Sequence, residues 1–281
     1  MRNRKFFGVV EGFYRRPFSF NERADLIAFM ADIGLDTYVY GPKMDPFHRQ
    51  RYRSPYPAKT MKEFERLQAI ADKKHVYFVY ALSPGGKPDP DSIIAKCRRF
   101  LDIGIRRIAL FYDDIEVPRT ADTARVQCET AHAVYAMLQR HDRQPVVFFC
   151  PTQYHGFSVT EYMTAVSRGL RPEISMIWTG KRVVSFRITR SHMERVRRLY
   201  GRDPLIWDNF FANDYMPPGV IPQIPYRYRD PSVVTRSRGV LINPMNEYQD
   251  AKRAVYTAAR FFRQPDRYCP RSAWREALKK V

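Results

Sequence analysis

The sequence predicts an α/β fold, a single (β/α)8 TIM barrel, from three observations. Short apolar runs rich in Val, Ile, Phe and Tyr alternate along the chain with stretches of helical spacing. Eight such units fill the 281 residues, about the length that this barrel requires. No linker or break in composition divides the chain, so we expect one domain over residues 1–281.

The predicted strands and helices follow one another in a regular order. The predicted strands are Phe6–Val10, Thr37–Tyr40, Val76–Ala81, Arg107–Tyr112, Val146–Cys150, Ile174–Trp178, Leu205–Trp207 and Val240–Ile242. The predicted helices are Asn21–Ile33, Met61–Lys74, Pro90–Leu101, Thr120–Arg140, Val159–Arg168, Arg190–Leu199 and Glu247–Phe262. After the seventh strand, the proline-rich segment Met216–Arg238 indicates a long ordered loop of the kind that shapes substrate sites.

An open, doubly wound sheet is the alternative arrangement for alternating strands and helices. Such sheets commonly bind nucleotides through a G-x-G-x-x-G or G-x-x-x-x-G-K-[ST] turn that directly follows a strand. Neither motif follows any predicted strand of this chain. The closed barrel is therefore the favoured fold.

The chain is strongly basic. Lys and Arg number 48 against 29 Asp and Glu, which gives a net charge of +19. Such an excess attracts nucleic acid, acidic polysaccharide or acidic lipid, or serves only to keep the surface solvated. The basic residues are spread along the chain and thicken in a C-terminal extension, residues 263–281. Because no nucleic-acid-binding motif is present, no specific nucleic acid partner is expected.

Targeting and cysteine patterns favour a cytoplasmic protein. No apolar stretch reaches the roughly eighteen residues of a membrane span, so we expect no membrane association of that kind. The apolar run Phe6–Val10 after the basic N-terminus is too short for a secretory signal. The four cysteines are widely spaced and form no C-x-x-C pair, which fits a reducing compartment: Cys97, Cys128, Cys150 and Cys269.

The pair Asp113-Asp114 is the sharpest chemical feature among the predicted strand ends. Reacting groups in this fold lie where strands end, and the pair ends the apolar run Ile108–Tyr112. Mutual repulsion and burial raise the pKa of a carboxyl, so one aspartate is expected to hold its proton near neutral pH. A protonated acid beside an ionised partner is what cleavage of a glycosidic bond needs.

Structural roles for the same pair stay open on the residues alone. Asp113 and Asp114 could cap the next helix or pair with the many arginines, because structural ion pairs also perturb carboxylates. A divalent metal site is a further alternative, and it would draw its additional oxygen ligands from Glu116, Asp45 and Asp208.

Other strand-end residues also allow two interpretations. Cys150 with His155 has the composition of a nucleophile pair, although Cys150 ends an apolar run that is typical of a core. Lys43 suits a Schiff base as well as it suits a contact to a sugar hydroxyl. Trp178 and Trp207 fit the core and a wall that stacks on a sugar ring equally well.

Polar and aromatic motifs follow all eight predicted strands. In chain order they are Val10–Tyr14, Tyr40–Lys43, Tyr80–Gly85, Phe111–Ile115, Cys150–Tyr154, Trp178–Gly180, Ile206–Asn209, Asn213–Tyr215 and Asn243–Pro244. Together they resemble the catalytic domain of glycoside hydrolase family 84, the β-N-acetylglucosaminidases that include protein O-GlcNAcases and bacterial hexosaminidases. The motifs keep the family's order and the resemblance covers about residues 6–262, nearly the whole chain.

The resemblance implies a retaining β-N-acetylglucosaminidase that cleaves terminal β-linked N-acetylglucosamine (GlcNAc). In that family the 2-acetamido carbonyl of the substrate attacks the anomeric carbon and forms an oxazoline, so no protein nucleophile, metal or organic cofactor is expected. By similarity, Asp113 polarises the acetamido N–H, and Asp114 acts as general acid and then as general base. The implied substrate-binding residues are Gly12, Lys43, Tyr154, Trp207, Asn209, Asp214 and Asn243.

The chain departs from the usual family pattern around the sugar pocket. Gly is usual at the position of Arg15, Trp at Phe18, an acidic residue at Met44, Glu at Gln153 and Cys at His155. These changes bear on the aglycone and the exact sugar more than on the reaction.

The expected partner is a GlcNAc-containing glycoside or glycoconjugate. An anionic aglycone is expected if the positive surface takes part in capture, because basic residues cluster in the loops after the first two strands: Arg15, Arg16, Arg49, Arg51 and Arg53. Two other functions stay open: a non-catalytic or altered-specificity barrel that binds anionic glycans, and a basic nucleic-acid-binding protein.

Overall fold

Eight parallel strands close into a barrel in chain order, with the eighth strand hydrogen-bonded to the first. The computed structural model of the protein describes residues 4–281. Its strands are β1 (Phe6–Glu11), β2 (Thr37–Tyr40), β3 (Tyr77–Leu82), β4 (Arg107–Phe111), β5 (Val146–Cys150), β6 (Ser175–Trp178), β7 (Leu205–Asp208) and β8 (Gly239–Ile242). The predicted (β/α)8 barrel is confirmed, and each predicted strand ends within one residue of the observed strand.

Helices surround the barrel and connect its strands. They are α1 (Phe20–Asp32), α2 (Ala58–Lys73), α3 (Pro90–Asp102), α4 (Ala121–Gln139), α5 (Glu161–Gly169), α6 (Arg190–Tyr200), α7 (Ser232–Thr235), α8 (Tyr248–Arg263) and α9 (Pro270–Lys280). The short α7 and the C-terminal α9 are the two that the sequence did not predict. Within residues 4–281, no helix combines the length and the apolar character that crossing a bilayer requires.

Several helices begin with a capping side chain directly after a loop at the carboxyl end of the barrel. Ser19 and Glu22 form a reciprocal capping box at the start of α1. The hydroxyls of Thr120, Thr160 and Thr189 accept backbone N–H groups at the starts of α4, α5 and α6. The helix starts therefore fix where each site loop ends.

Alternating strand side chains form two apolar layers. The layer inside the barrel consists of Phe6, Val10, Val39, Val79, Ala81, Ala109, Phe111, Phe148, Cys150, Ile177, Leu205, Trp207 and Leu241. Residues that alternate with these along the strands, such as Val9 and Tyr38, belong to the second layer beneath the helices. Side chains fill the barrel, so its interior is a packed core. A substrate site in this fold therefore lies beyond that core, at the carboxyl ends of the strands.

The basic C-terminal segment forms a helix that packs on the barrel's last helix. Helix α9 buries Ala273 and Ala277 next to α8. Glu276 accepts a hydrogen bond from Tyr256 at 3.1 Å and pairs with Arg260 at 3.3 Å. The C-terminal segment therefore joins the barrel through a narrow apolar face that is bordered by Arg and Lys.

Candidate active site

The carboxyl ends of the strands surround a cavity of about 420 Å³. Every residue that the sequence predicted for catalysis or substrate binding lines this cavity: Gly12, Lys43, Asp113, Asp114, Tyr154, Trp207, Asn209, Asp214 and Asn243. They come from loops and strand ends that are up to 231 residues apart in the chain, as the hydrogen bond between Gly12 and Asn243 shows. The barrel topology is what brings them together.

Asp113 and Lys43 form a buried ion pair in this cavity. The Lys43 ammonium donates a hydrogen bond to Oδ2 of Asp113, and both side chains are almost fully buried. Burial lowers the pKa of Lys43, but Asp113 and Asp114 outweigh burial and raise that pKa above its ordinary value. Oδ1 of Asp113 accepts no hydrogen bond from any residue in the described part of the chain. A carboxylate beside the cavity therefore keeps one unmet acceptor.

Asp114 lies beside this pair, and about a third of its side chain is exposed. Its backbone adopts a left-handed φ of 52°, which is uncommon for a residue other than glycine and is a mark of functional sites. Tyr154 donates a hydrogen bond to Oδ1 of Asp114 at 2.7 Å, and Tyr14 donates to Oδ2 at 2.9 Å. The Lys43 ammonium lies 3.8 Å from Oδ2.

These neighbours reverse the direction in which burial alone would move the pKa of Asp114. Burial raises that pKa, but the Lys43 charge and the hydroxyls of Tyr154 and Tyr14 outweigh burial and hold it below its ordinary value. The expectation that repulsion and burial keep a proton on an aspartate near neutral pH therefore does not hold for Asp114 in this arrangement. Asp114 is a carboxylate here at neutral pH.

Three hydrogen bonds and one packing contact join four residues in a ring at one side of the cavity. The backbone N–H of Gly12 donates to Oδ1 of Asn243 at 3.1 Å, and Nδ2 of Asn243 donates to Oδ1 of Asn209 at 2.9 Å. The same Asn209 oxygen accepts the indole N–H of Trp207 at 2.8 Å. The Trp207 ring lies directly against Gly12, where a Cβ would stand 2.1 Å from a ring carbon. The ring of contacts thus fixes the Trp207 wall.

A second set of contacts fixes the rim around Tyr14. The backbone N–H of Tyr14 donates to Oδ2 of Asp214 at 2.7 Å, and its carbonyl accepts a hydrogen bond from Asn246 at 2.7 Å. Arg49 lies 3.4 Å from the Tyr14 hydroxyl. The loop after β1 is thereby tied to the loops after β2, β7 and β8.

The sequence analysis missed Tyr14 as a site residue. Its hydroxyl reaches Asp114, one hundred positions away in the chain, although it stands in the Val10–Tyr14 motif. That motif marked the segment but gave no sign of where the hydroxyl points. Other lining residues that were not predicted for the site are Cys150, Thr179, Val183, Val184, Ala212 and Tyr215.

Two buried carboxylate–arginine pairs support the strand ends on both sides of β8. Arg23 donates two hydrogen bonds to Glu11 at 2.8 Å, at the end of β1. Arg229 donates two to Asp208, at 2.8 and 2.6 Å, at the end of β7, and Tyr226 adds a third at 2.7 Å. Both carboxylate oxygens of Asp208 therefore accept hydrogen bonds from buried neighbours, which does not suit a metal ligand in the cavity.

The structure gives non-catalytic roles to several other residues for which the sequence left a catalytic or ligand-binding role open. Burial raises the pKa of the Cys150 thiol well above its ordinary value, which suits a core residue and not a thiolate nucleophile. Trp178 is fully buried and its indole N–H donates to the carbonyl of Gly156, so it belongs to the core. Lys43 is held as an ammonium by its aspartates, which is unsuited to a Schiff base. Asp45 accepts the hydroxyl of Tyr40 at 2.7 Å.

The barrel and its paired carboxylates at the end of β4 define the class of a glycoside hydrolase. A model of the β-N-acetylglucosaminidase family matches residues 7–281. The protein O-GlcNAcases of Rattus norvegicus and Mus musculus are each 33% identical to this chain over 272 residues, which is 91% of this chain and 30% of theirs. A structure of a mutant O-GlcNAc hydrolase from Thermobaculum terrenum has a TM-score of 0.92 at 30% identity and covers 99% of this chain and 63% of that one.

The chain therefore belongs to the β-N-acetylglucosaminidase family. This family is one of glycoside hydrolases, and the chain spans about a third of the length of the curated relatives that it matches. The family match includes the C-terminal segment 263–281, which the resemblance found in the sequence did not cover.

Proposed function

We propose that the protein removes terminal β-linked GlcNAc with retention of configuration, and that the acetamido group of the substrate acts as the nucleophile. The observation that carries this proposal is the arrangement after β4. Lys43 fixes Asp113, whose Oδ1 has no donor among the described residues, and Asp114 stands next to it with part of its carboxylate exposed. An unmet carboxylate oxygen suits an acetamido N–H, and an accessible carboxyl beside it suits proton transfer.

The reaction then proceeds in two steps. The acetamido carbonyl oxygen attacks the anomeric carbon, the glycosidic C–O bond breaks, and Asp114 transfers its proton to the leaving oxygen. Asp113 accepts a hydrogen bond from the acetamido N–H and stabilises the positive charge that develops as the oxazoline forms. Asp114, now a carboxylate, takes a proton from water, which opens the oxazoline at the anomeric carbon and restores the acetamido group.

The other cavity residues are assigned to substrate binding. Lys43, the Gly12 backbone, Asp214 and Asn243 bind hydroxyls of the sugar, while Tyr154 and Asn209 contact the acetamido group and the reacting centre, and Trp207 forms the wall of the acetamido pocket. Their presence around one cavity of about 420 Å³ supports these roles, because that volume lies in the range of about 300–1,000 Å³ that is usual for small-molecule sites.

The test is a leaving-group series with the two aspartates changed one at a time. Asp114→Asn should lower kcat/KM strongly for GlcNAc glycosides with poor leaving groups and far less for activated aryl glycosides, which need little protonation. Asp113→Asn should lower it by roughly 10²–10³-fold for the whole series, because oxazoline formation itself is impaired.

Equal losses across the series in Asp114→Asn would contradict its role as the acid. Unchanged kinetics in Asp113→Asn would remove that residue from the mechanism. Running gluco and galacto aryl glycosides in parallel gives the preference at C4. Failure of the unaltered protein to hydrolyse any aryl GlcNAc glycoside would favour the alternative of a non-catalytic barrel.

An anionic aglycone is the finer proposal about the substrate. The net charge of +19 supports it, but only part of the basic cluster beside the site is free to act. Arg16 pairs with Glu22 at 2.8 Å, and Arg53 lies 3.6 Å from Asp89. Arg49 contacts the hydroxyl of Tyr14, which lines the cavity.

The last part of the proposal is that residues 4–281 form one catalytic domain and that the protein works in a reducing compartment. Helix α9 packs on α8, so the C-terminal segment is part of the barrel domain. The four cysteines are free thiols, three of them buried. Free thiols are the ordinary state of cysteine in the cytoplasm.

A further inference from the structure

The loop between β2 and α2, residues 41–57, consists of turns and yet reaches the reacting groups of the site. It supplies Lys43 of the buried ion pair, and it supplies Arg49, which donates to the Tyr14 hydroxyl at 3.4 Å. That hydroxyl in turn donates to Asp114 at 2.9 Å. Because irregular loops are the more mobile parts of a fold, a contact made through such a loop is precise only if the loop is held in place.

Lys96, a buried residue of helix α3, donates hydrogen bonds to three carbonyls of this loop. Its Nζ lies 2.7 Å from the carbonyl oxygen of Phe47, 3.0 Å from that of Tyr52 and 2.8 Å from that of Ser54. Within the described chain, the turn bonds of the loop run to other carbonyls, such as that of Pro46. An ammonium has three N–H donors, so each donor of Lys96 is matched by one loop carbonyl.

The fold keeps this charge although burial disfavours it. Burial lowers the pKa of Lys96 to about 8, while Asp45 and Cys97 act in the opposite direction and Arg99 adds to the lowering. Lys96 is therefore still an ammonium at neutral pH, with all three donors. A methionine would occupy similar space without the cost of burying a charge, so packing alone does not account for a lysine here.

The carbonyls that Lys96 binds lie on both sides of Arg49 in the chain. Residues 47–54, which we call the Arg49 segment, begin and end with two of these carbonyls. His48 ties the same segment to β3, because its Nδ1 donates to the carbonyl of Ala81 at 2.8 Å. The Arg49 segment is therefore held by β3 at one point and by the α3 lysine at three.

We infer that Lys96 is a positioning residue for the reaction, because it holds the Arg49 segment so that Arg49 stays at the Tyr14 hydroxyl and near Asp114. Lys96 itself touches neither the cavity nor the aspartates, and its effect passes through the loop backbone. This inference rests on the proposed function, since that function gives Asp114 the role of the acid.

The charge of Arg49 provides a readout that a loss of stability alone would not move. Burial and the adjacent Asp113 raise the pKa of Asp114, and the neighbours that lower it are Lys43, Tyr154, Tyr14 and Arg49. A unit charge at roughly 6 Å in water changes a pKa by about 0.5. Releasing Arg49 should therefore move the fall of kcat at rising pH upward by about half a pH unit, because kcat reports the acid in the enzyme–substrate complex.

The test measures kcat against pH for a GlcNAc glycoside with a poor leaving group. Lys96→Met and Arg49→Met should each give the upward movement, and the double variant should move no further than Arg49→Met, because both changes act through one contact. If Lys96→Met does not fold, Lys96→Gln, which keeps two N–H donors, takes its place. An unmoved profile in the Lys96 variant, or movements that add in the double variant, would overturn the inference.

Lys5→Met is the matched control. Nζ of Lys5 also donates to backbone carbonyls, those of Val234 at 2.6 Å and Thr235 at 3.0 Å, but it lies before β1 at the amino end of the barrel. Its pH profile should equal that of the unaltered protein. A Lys5→Met profile that moves as far as that of Lys96→Met would show a general effect of losing a carbonyl-bound lysine and would overturn the inference.

Amide hydrogen exchange separates this inference from the proposed function, because it needs no hydrolysis. The N–H groups of Arg49, Arg51, Tyr52 and Ser54 are hydrogen-bonded within the loop. They should exchange roughly tenfold faster in Lys96→Met than in the unaltered protein, and at the same rate in Lys5→Met. Faster exchange in a protein that hydrolyses no GlcNAc glycoside would support the hold of Lys96 on the loop and count against the reaction alone. Unchanged exchange in Lys96→Met would overturn the inference.

Discussion

Replacing Gly12 with alanine should displace the wall of the sugar pocket without unfolding the barrel. A Cβ at this position would stand 2.1 Å from Cζ2 of Trp207 and 2.6 Å from Cη2. The shorter contact is about 1.3 Å below an ordinary carbon–carbon distance, so the indole must move by roughly that much. Trp207 cannot swing freely, because its N–H is bonded to Asn209 at 2.8 Å. The shift therefore strains the ring of contacts that joins Asn209, Asn243 and Gly12.

Misplacement of about 1 Å in a catalytic site typically lowers the rate by about 10²-fold. We therefore expect Gly12→Ala to lower kcat/KM for an aryl GlcNAc glycoside by about that factor, or about 2.7 kcal/mol of transition-state stabilisation. The expected loss of folding free energy is of similar size, about 1–3 kcal/mol, as is usual for overpacking. Kinetics measured well below the melting temperature separate the two effects.

Gly169→Ala is the matched control for this prediction. A Cβ on Gly169, at the end of α5, would meet only Cys128 Sγ at an ordinary 3.9 Å. Its activity should equal that of the unaltered protein. If Gly12→Ala also keeps kcat/KM within about threefold of the unaltered protein, the Trp207 wall is not a rigid part of the site and the reasoning from the close contact is refuted.

Two further predictions concern the buried charges. Arg229→Met leaves the carboxylate of Asp208 buried without its partner and should cost about 3–5 kcal/mol in urea unfolding, against less than about 1 kcal/mol for Arg253→Met, whose ion pair is partly exposed. Tyr154→Phe removes a donor that helps to hold the pKa of Asp114 low, so that pKa should rise. A depressed pKa stabilises the fold above the ordinary value and loses this effect as pH falls, so the variant should lose less stability than the unaltered protein between about pH 5 and pH 2. Parallel acid-unfolding curves for the two proteins would contradict this.

The sequence was most informative about the strands. Parallel strands that are buried on both faces appear as continuous apolar runs, so Val146–Cys150 and its counterparts could be located to within a residue. Helix α9 was missed although Ala273, Trp274, Ala277 and Leu278 recur at helical spacing, because the segment was interpreted from its basic charge alone. The short α7 has a single turn, for which periodicity carries no signal.

The sequence predicted which residues line the candidate site. It did not predict which of them contact one another. Strand ends converge in this fold, so residues taken from them meet in one cavity. The contacts between them depend on loop paths that no local pattern encodes. The spacing of residues in the sequence does not predict that the Tyr14 hydroxyl donates to Asp114. It also does not predict that Arg229 pairs with Asp208.

The direction of the Asp114 pKa bears on how the proposed reaction begins. The empty site favours the carboxylate, through Lys43 and two phenol hydroxyls, yet the proposed acid must carry a proton when the glycosidic bond breaks. Substrate binding supplies two changes that act in that direction. A sugar over the cavity removes water from the exposed third of Asp114, and an acetamido N–H on Oδ1 of Asp113 stabilises the charge of that neighbour. Because two adjacent carboxylates repel each other, fixing the charge on Asp113 favours the proton on Asp114. On this argument substrate binding raises the pKa of Asp114 so that it takes up a proton from solvent, and transfer of that proton to the leaving oxygen leaves the carboxylate that the second step requires.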